Sequence, residues 1–125
     1  MNAEQMHIDE TDYEDVVVLS VRGMLASQPN LAGLYDRLNQ LKQGGRTQVV
    51  VDCSRLVGCG AALLGWFVTG QKALREAGGD LYLAGLSDRM RRIMALTQLS
   101  DHFSIFTTAE RAVDQAHGSS WVHAA

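Results

Sequence analysis

The stretch from Thr47 to Gly79 constrains the fold of this chain most strongly. Thr47–Cys53 contains three consecutive valines, and such an unbroken β-branched run predicts a strand that is covered on both faces. After a short loop, Ala61–Ala77 predicts a helix of about four turns, which Gly78-Gly79 ends. The apolar run Leu81–Ala84 predicts a second strand. Strand, helix and strand together form a βαβ unit, for which a right-handed crossover is expected.

The same signals predict further elements on both sides of this unit. Met6–Ile8 and Asp15–Val21 predict an antiparallel hairpin, with Asp12 to Glu14 as its turn. Leucines at positions 31, 34, 38 and 41 have the spacing of an amphipathic helix, and Pro29 suits its first turn.

Downstream of the βαβ unit, two more helices and the end of the sheet are predicted. The expected elements are a strand over Asp80–Leu86, a helix capped by Ser87 with Met90, Ile93 and Met94 inward, a strand over Phe103–Phe106, and a helix from a Thr107–Glu110 capping box to about His117. The order predicts an α/β fold: a mixed β-sheet of four or five strands, with the Thr47–Cys53 strand inside it, and about four packed α-helices. Residues 1–117 would form a single domain and residues 118–125 a flexible tail, because Gly118-Ser119-Ser120 breaks the last helix.

Composition excludes several classes of function. The chain has 125 residues and a net charge of −3 without a basic run, so it lacks the electrostatic footprint of a nucleic-acid binder. Its apolar runs are far shorter than the roughly 20 residues that span a bilayer, so no direct membrane insertion is expected. The N-terminus has no signal-peptide pattern. A cytoplasmic protein is expected, with Cys53 and Cys59 as thiols.

The polar residues form no recognisable catalytic or metal-binding motif. The four histidines, at positions 7, 102, 117 and 123, are scattered along the sequence, so no metal, no cofactor and no enzymatic activity are predicted. Asp52 stands at the carboxyl end of a strand, where α/β proteins often place functional groups. It is interpreted first as a residue that caps the following loop through its own carboxylate.

A second apolar stripe makes the central helix a candidate interface. Leu64, Phe67, Val68 and Leu74 form the expected core stripe, and a further stripe consists of Leu63, Trp66, Gly70 and Ala73. A helix that is apolar on two faces is either buried or presents one face to a partner. Tryptophan is enriched at interface hot spots. The second stripe is therefore predicted to bind a partner or to pack under a neighbouring loop.

Four motifs, in order and at matching separations, resemble the STAS domain of bacterial anti-sigma factor antagonists over roughly Val16 to Ala116. The motifs are Val21-Arg22-Gly23-Met24-Leu25 (Gly-Glu-Leu-Asp in the family), Val51-Asp52-Cys53-Ser54-Arg55-Leu56 (Val-Asp-Leu-Ser-x-Val), Leu64-Gly65 followed by Gly78-Gly79, and Met90–Leu99 (Val-Arg-Arg-Leu-Leu-Glu-Leu-Thr-Gly-Leu). The resemblance implies a STAS fold that works by binding another protein.

The chain departs from this family at its phosphorylation site. There the loop reads Asp-Ser-Ser-Gly-Leu-Gly, and a partner kinase phosphorylates the second serine. Counted back from Leu64-Gly65, this chain has Gly60 at the aspartate, Ala61 at the first serine and Ala62 at the phospho-acceptor. Ala26 replaces a further aspartate near that site. Because alanine has no hydroxyl, the resemblance implies a STAS domain that cannot be phosphorylated at Ala62.

The resemblance leads to two functional hypotheses. The first is an anti-sigma factor antagonist, or a degenerate relative, that binds an anti-sigma factor or serine-kinase-like partner in transcription regulation and signalling. The alternative is an accessory subunit that binds the ATPase of an ABC-type transport complex. Asp52–Leu56 and Leu83–Ser87 are compatible with either, and the oligomeric state stays open.

Overall fold

The computed structural model describes residues 7–23, 28–57 and 61–124. Within this part of the chain there are five strands and four α-helices, with one turn of 3₁₀-helix at Leu99–Asp101. The elements are β1 (His7–Tyr13), β2 (Val16–Gly23), α1 (Gln28–Gln43), β3 (Gln48–Leu56), α2 (Ala61–Glu76), β4 (Asp80–Ala84), α3 (Asp88–Leu96), β5 (Ile105–Phe106) and α4 (Ala109–Ala124). No helix in the described ranges is both long and apolar enough to cross a membrane.

The strands form one mixed sheet in the order β1-β2-β3-β4-β5. β1 is antiparallel to β2, and the other neighbours are parallel. β3 therefore occupies the middle of the sheet. The prediction of a mixed sheet of four or five strands with this strand inside it is confirmed, and the number of strands is five. Its valines at 49, 50 and 51 are fully buried, because helices cover both faces.

The two faces of the sheet carry cores of different size. The larger core lies under α1, α2 and α3 and includes Leu34, Phe67 and Met94. On the opposite face, Ala112, Val113 and Ala116 of α4 pack on strand residues such as Val18, Val50 and Tyr82. The β1–β2 turn lies at the end of the sheet where the parallel strands begin, whereas α2 follows the carboxyl end of β3 in the chain.

Several predicted boundaries are wrong in an instructive way. β1 runs to Tyr13, although Asp12 to Glu14 were predicted as the turn, because this edge strand is polar and largely exposed yet pairs with β2 along its whole length. The turn is Glu14-Asp15. β4 ends at Ala84 because Gly85 adopts a left-handed backbone, with φ 68°.

The predicted N-cap is correct for α3 and wrong for α4. Ser87 caps α3 as predicted, since its Oγ accepts a hydrogen bond from the Met90 N–H at 3.2 Å. At α4 the capping hydroxyl belongs to Thr108, whose Oγ1 accepts from the Arg111 N–H at 3.3 Å, and the helix starts one residue later than the Thr107 box predicts. The predicted end near His117 is also wrong, because α4 continues to Ala124. One interior glycine costs a helix only about 1 kcal/mol.

An ion pair fastens the edge strand to the helical layer. The Arg37 guanidinium of α1 donates to both carboxylate oxygens of Glu10 in β1. This hydrogen bonding holds the pKa of Glu10 below its ordinary value, and the same carboxylate raises the pKa of Arg37. β1 is therefore held by this ion pair with α1 in addition to its backbone hydrogen bonds with β2.

Candidate functional site

The carboxyl ends of β3 and β4 approach each other closely beside the start of α2. Asp52 is half-buried, and its Oδ1 accepts a hydrogen bond from the Ser54 N–H at 3.1 Å. This is the local contact expected of a capping aspartate. A Cβ at Gly85 would lie 2.8 Å from the Ser54 Cβ and 3.0 Å from Asp52 Oδ1. Glycine is thus required for β4 to leave the sheet beside Asp52.

The first turn of α2 contains the two alanines that the family resemblance predicts at the phosphorylation site. Ala61 begins the helix, and Ala62 is half-buried and packs against the larger core. Gly60 and Ala26, the other two positions of the predicted site, lie outside the described residues, as does Cys59. Cys53 is buried, and its thiol contacts the Val51 carbonyl at 3.9 Å. The free N–H groups of a first helical turn attract anions, but the methyl groups of Ala61 and Ala62 offer no nucleophile.

The stripe predicted to bind a partner is instead part of the core. Leu63 and Trp66 are 1% and 0% exposed. A Cβ at Gly70 would lie 3.1 Å from Leu81 and 3.2 Å from Leu38, so this glycine allows α2 to pack closely on β4 and α1. The interpretation of these three residues as a partner-binding surface is therefore wrong, and Ala73 is only half-buried. Periodicity was right for Phe67 and Leu74, which are fully buried. It could not show that the second stripe is buried as well, because this follows from the packing of α2 on both β4 and α1.

The exposed side of α2 contains a residue that was predicted to be buried. Val68 is 44% exposed. Gly65, Val68, Thr69 and Lys72 are all exposed, at the i, i+3, i+4 and i+7 spacing of one helix face. We call these four residues the α2 outer face. Half-buried Leu64 lies at its border.

A second exposed valine flanks the same helix. Val57 follows β3 and is 57% exposed, although its N–H donates to the Gly23 carbonyl at 2.8 Å. Among the described residues, the exposed large hydrophobic side chains are Tyr13, Val57, Val68 and Leu96. Val57 thus precedes α2 in the chain, and Val68 lies within it. Periodicity did not indicate the exposure of Val68, because this residue belongs to the predicted core stripe.

Comparison with solved structures shows the same fold in anti-sigma factor antagonists. An antagonist from Mycobacterium paratuberculosis has a TM-score of 0.80 at 19% identity, over 91% of this chain and 96% of that one. SpoIIAA of Bacillus in its phosphorylated form has a TM-score of 0.72 at 19% identity, over 87% of this chain and 98% of that one. A putative antagonist from Thermotoga maritima has a TM-score of 0.73 at 19% identity, over 88% of this chain and 94% of that one. No curated protein matches the chain.

A family model provides the stronger sequence evidence. The model described as "Mlab, STAS domain" matches residues 8–107. The matched segment extends from β1 to the residue after β5, so it includes the whole sheet and the helices α1, α2 and α3. This agrees with the four motifs of the sequence and with the topology of the sheet. The chain therefore belongs to the STAS domain family.

Proposed function

We propose that this chain is a protein-binding regulatory module, similar to an anti-sigma factor antagonist, and that it docks through the α2 outer face together with Val57. The observation that carries the proposal is the exposure of two valines, Val57 just after β3 and Val68 on the α2 outer face. Exposed apolar side chains offer a partner apolar area to bury. No catalytic step and no cofactor are part of this proposal.

The module would bind its partner without a phosphorylation switch at Ala62. Phosphorylation adds about two negative charges, which oppose docking at a contact surface by repulsion and desolvation. An alanine methyl group cannot accept a phosphoryl group, so the chain would remain competent to bind. The leading partner class is an anti-sigma factor or serine-kinase-like protein in the cytoplasm, where binding would regulate transcription.

A second partner class has its own support. The matching family model is that of the Mlab STAS domain, whereas the likeness to the antagonists rests on fold at about one-fifth identity. A stand-alone STAS domain can also serve as the accessory subunit of an ABC-type transport complex. In that role the same outer face would contact the transporter ATPase, again without phosphorylation.

Capture of the partner tests the proposal and separates the two classes. The full chain is expressed with an affinity tag in its native cells, and the proteins that co-purify in stoichiometric amount are identified by mass spectrometry. A kinase-like anti-sigma factor supports the first class, and a transporter ATPase supports the second. Val68→Asp should abolish the capture of either. Recovery of the same partner by Val68→Asp in full amount would contradict docking at this face.

The missing switch is tested with the captured partner. We expect no mass increase after incubation of the chain with that partner, ATP and magnesium. Ala62→Asp, which adds a charge at the same position, should weaken binding. A stoichiometric phosphate between Cys53 and Leu64 would contradict the proposal, and unchanged affinity of Ala62→Asp would show that the first turn of α2 lies outside the contact.

A further inference from the structure

Three side chains of types that can bind a metal ion meet at the end of the sheet where the parallel strands begin. Glu14 and Asp15 form the turn between β1 and β2, and His117 lies in α4, which packs across the neighbouring strands. One ligand atom from each residue lies within 4.8 Å of the others. The chain separates His117 from the turn by about a hundred residues, so no spacing motif predicts this cluster.

The geometry of the three side chains is close to that of a metal site. Asp15 Oδ1 lies 2.7 Å from His117 Nδ1. Ligand atoms about 2.1 Å from a tetrahedral ion are about 3.4 Å from one another, so rotations of the two surface carboxylates would bring the set to that spacing. The imidazole comes from a helix and is half-buried, which fixes one ligand while the turn supplies the other two.

A cavity of about 240 Å³ opens directly beside His117. Its walls are Tyr13 from β1 and one face of α4, formed by Ala109, Glu110, Val113, Asp114 and His117. The cavity has room for the water molecules or the small ligand that would complete a coordination sphere. Glu110 and Asp114 add two carboxylates to its wall, and their negative potential attracts cations.

We propose that Glu14, Asp15 and His117 bind a divalent transition-metal ion, with Zn²⁺ as the best match. An imidazole together with carboxylates suits zinc and its neighbours in the first transition series, whereas Ca²⁺ and Mg²⁺ favour sites made of oxygen atoms alone. Three protein ligands leave one position of a tetrahedral ion open toward the cavity. The ion would join the β1–β2 turn to α4 and would thus brace the face of the sheet opposite to α2.

The competing explanation is a simple ion pair between His117 and Asp15. Glu14 distinguishes the two, because it contributes to the metal cluster but is not part of that pair. Glu14 is exposed and has a left-handed backbone, with φ 59°. Its replacement by glutamine keeps the size of the side chain and removes the charge. Replacement by glycine also removes the strain of the left-handed backbone, because glycine has no Cβ.

Isothermal titration of the untagged full chain with zinc chloride, and separately with magnesium chloride, tests the site. We expect one Zn²⁺ per chain, a rise of the melting temperature with zinc, and neither effect with magnesium. Glu14→Gln and His117→Gln should each weaken zinc binding at least about tenfold, because loss of a group that merely supports a metal ligand already costs about 10- to 100-fold. His102→Gln, at an exposed histidine outside the cluster, is the control and should bind zinc normally.

A second variant separates metal binding from folding. Glu14→Gly should melt at a higher temperature than the unchanged chain when no metal is present, yet it should lose the additional rise caused by zinc. The proposal is overturned if zinc neither binds nor shifts the melting temperature. It is overturned equally if His102→Gln loses as much affinity as His117→Gln, or if both variants of Glu14 bind zinc as tightly as the unchanged chain.

Discussion

The side chain of Trp66 belongs to the core in every respect but one. It is fully buried and packs edge-on against Phe67, with ring centroids 6.0 Å apart. Its indole N–H, however, has no hydrogen-bond acceptor among the described residues. A buried donor without an acceptor reduces stability. The burial of the aromatic rings of Trp66 must therefore stabilise the fold by more than the unpaired N–H destabilises it.

We predict that Trp66→Ala lowers the free energy of unfolding by about 3–5 kcal/mol, the usual cost of emptying a buried aromatic site. Trp66→Phe should cost much less, since it keeps a ring and removes the unpaired N–H. Urea unfolding followed by circular dichroism measures both variants. If Trp66→Ala unfolds at the same urea concentration as the unchanged chain, the indole is not a core side chain.

Gln98 holds a backbone conformation that suits glycine. Its φ of 62° and ψ of 15° lie in the left-handed region, which costs a residue with a Cβ about 1–2 kcal/mol. It follows Thr97, the C-cap of α3, at the position where the family motif Leu-Thr-Gly-Leu has glycine.

We predict that Gln98→Gly raises the free energy of unfolding by about 0.5–1 kcal/mol. Glycine removes the backbone strain at this position, and this gain exceeds the free-energy cost of ordering the more flexible glycine on folding. Thermal unfolding measures the gain, and Gln98→Ala, which keeps the Cβ, should show none. A glycine variant less stable than the alanine variant would contradict this explanation.

At the scale of elements, two adjacent glycines connect α2 to β4 for different reasons. Gly78 has a left-handed φ of 91° with open space around it. A Cβ at Gly79 would lie 1.9 Å from the Thr47 carbonyl oxygen, and the neighbouring Asp80 N–H donates to that same oxygen at 3.0 Å. One glycine therefore shapes the turn, and the other lets β4 pair with the start of β3.

We predict that Gly79→Ala is much more destabilising than Gly78→Ala. The first needs a backbone shift at the head of two central strands, which should cost more than about 3 kcal/mol, whereas the second should cost about 1–2 kcal/mol for its conformation alone. Chemical denaturation of the two variants gives the comparison. If the two variants lose equal amounts of unfolding free energy, the prediction is contradicted, because Thr47 would then move aside at little cost.

The ion pair between β1 and α1 should make stability depend on pH. The hydrogen bonds from Arg37 lower the pKa of Glu10 in the folded protein. The ion pair therefore adds its full contribution to the free energy of unfolding above the pKa of glutamate in the unfolded chain, near 4.3. This contribution is lost as the pH falls through the lower pKa that Glu10 has in the folded protein. Both side chains are partly exposed, so solvent screening limits the effect to about 0.5 kcal/mol.

We predict that Glu10→Gln lowers the free energy of unfolding by about that amount at pH 7, and that the difference disappears at about pH 2–3. Denaturation curves at both pH values, with Glu76→Gln as the control on an exposed helix position, measure the effect. A difference that stays constant across this range would show that the glutamate acts through packing rather than charge.

For the whole molecule, the sequence predicted those features that local patterns determine. Signals within a few residues predicted the strand β3 from its valines, the start of α3 from Ser87 and the end of α2 from the glycines that follow it. Of the polar strand β1 the sequence predicted only the beginning, Met6–Ile8, because pairing with β2, and not composition, keeps the remainder extended.

The candidate sites required the tertiary structure. α2 is apolar around most of its circumference, so only its packing on α1 and β4 shows that Trp66 is buried and Val68 exposed. Likewise, His117 meets Glu14 and Asp15 only because α4 crosses the face of the sheet next to the β1–β2 turn. The family resemblance placed the candidate site at the start of α2, and the interpretation of the second stripe placed Trp66 at an interface although it is buried.

The affinity of the purified chain for its captured partner tests the account most directly, with Val68→Asp and Leu96→Asp compared side by side. Both valine and leucine are exposed, at 44% and 78%, so neither change should affect folding, which circular dichroism verifies. We predict that Val68→Asp weakens binding about 10- to 100-fold, as expected when a charge enters an apolar contact, and that Leu96→Asp on α3 binds within about twofold of the unchanged chain. Undiminished affinity of Val68→Asp, with loss of binding in Leu96→Asp, would contradict docking through the α2 outer face.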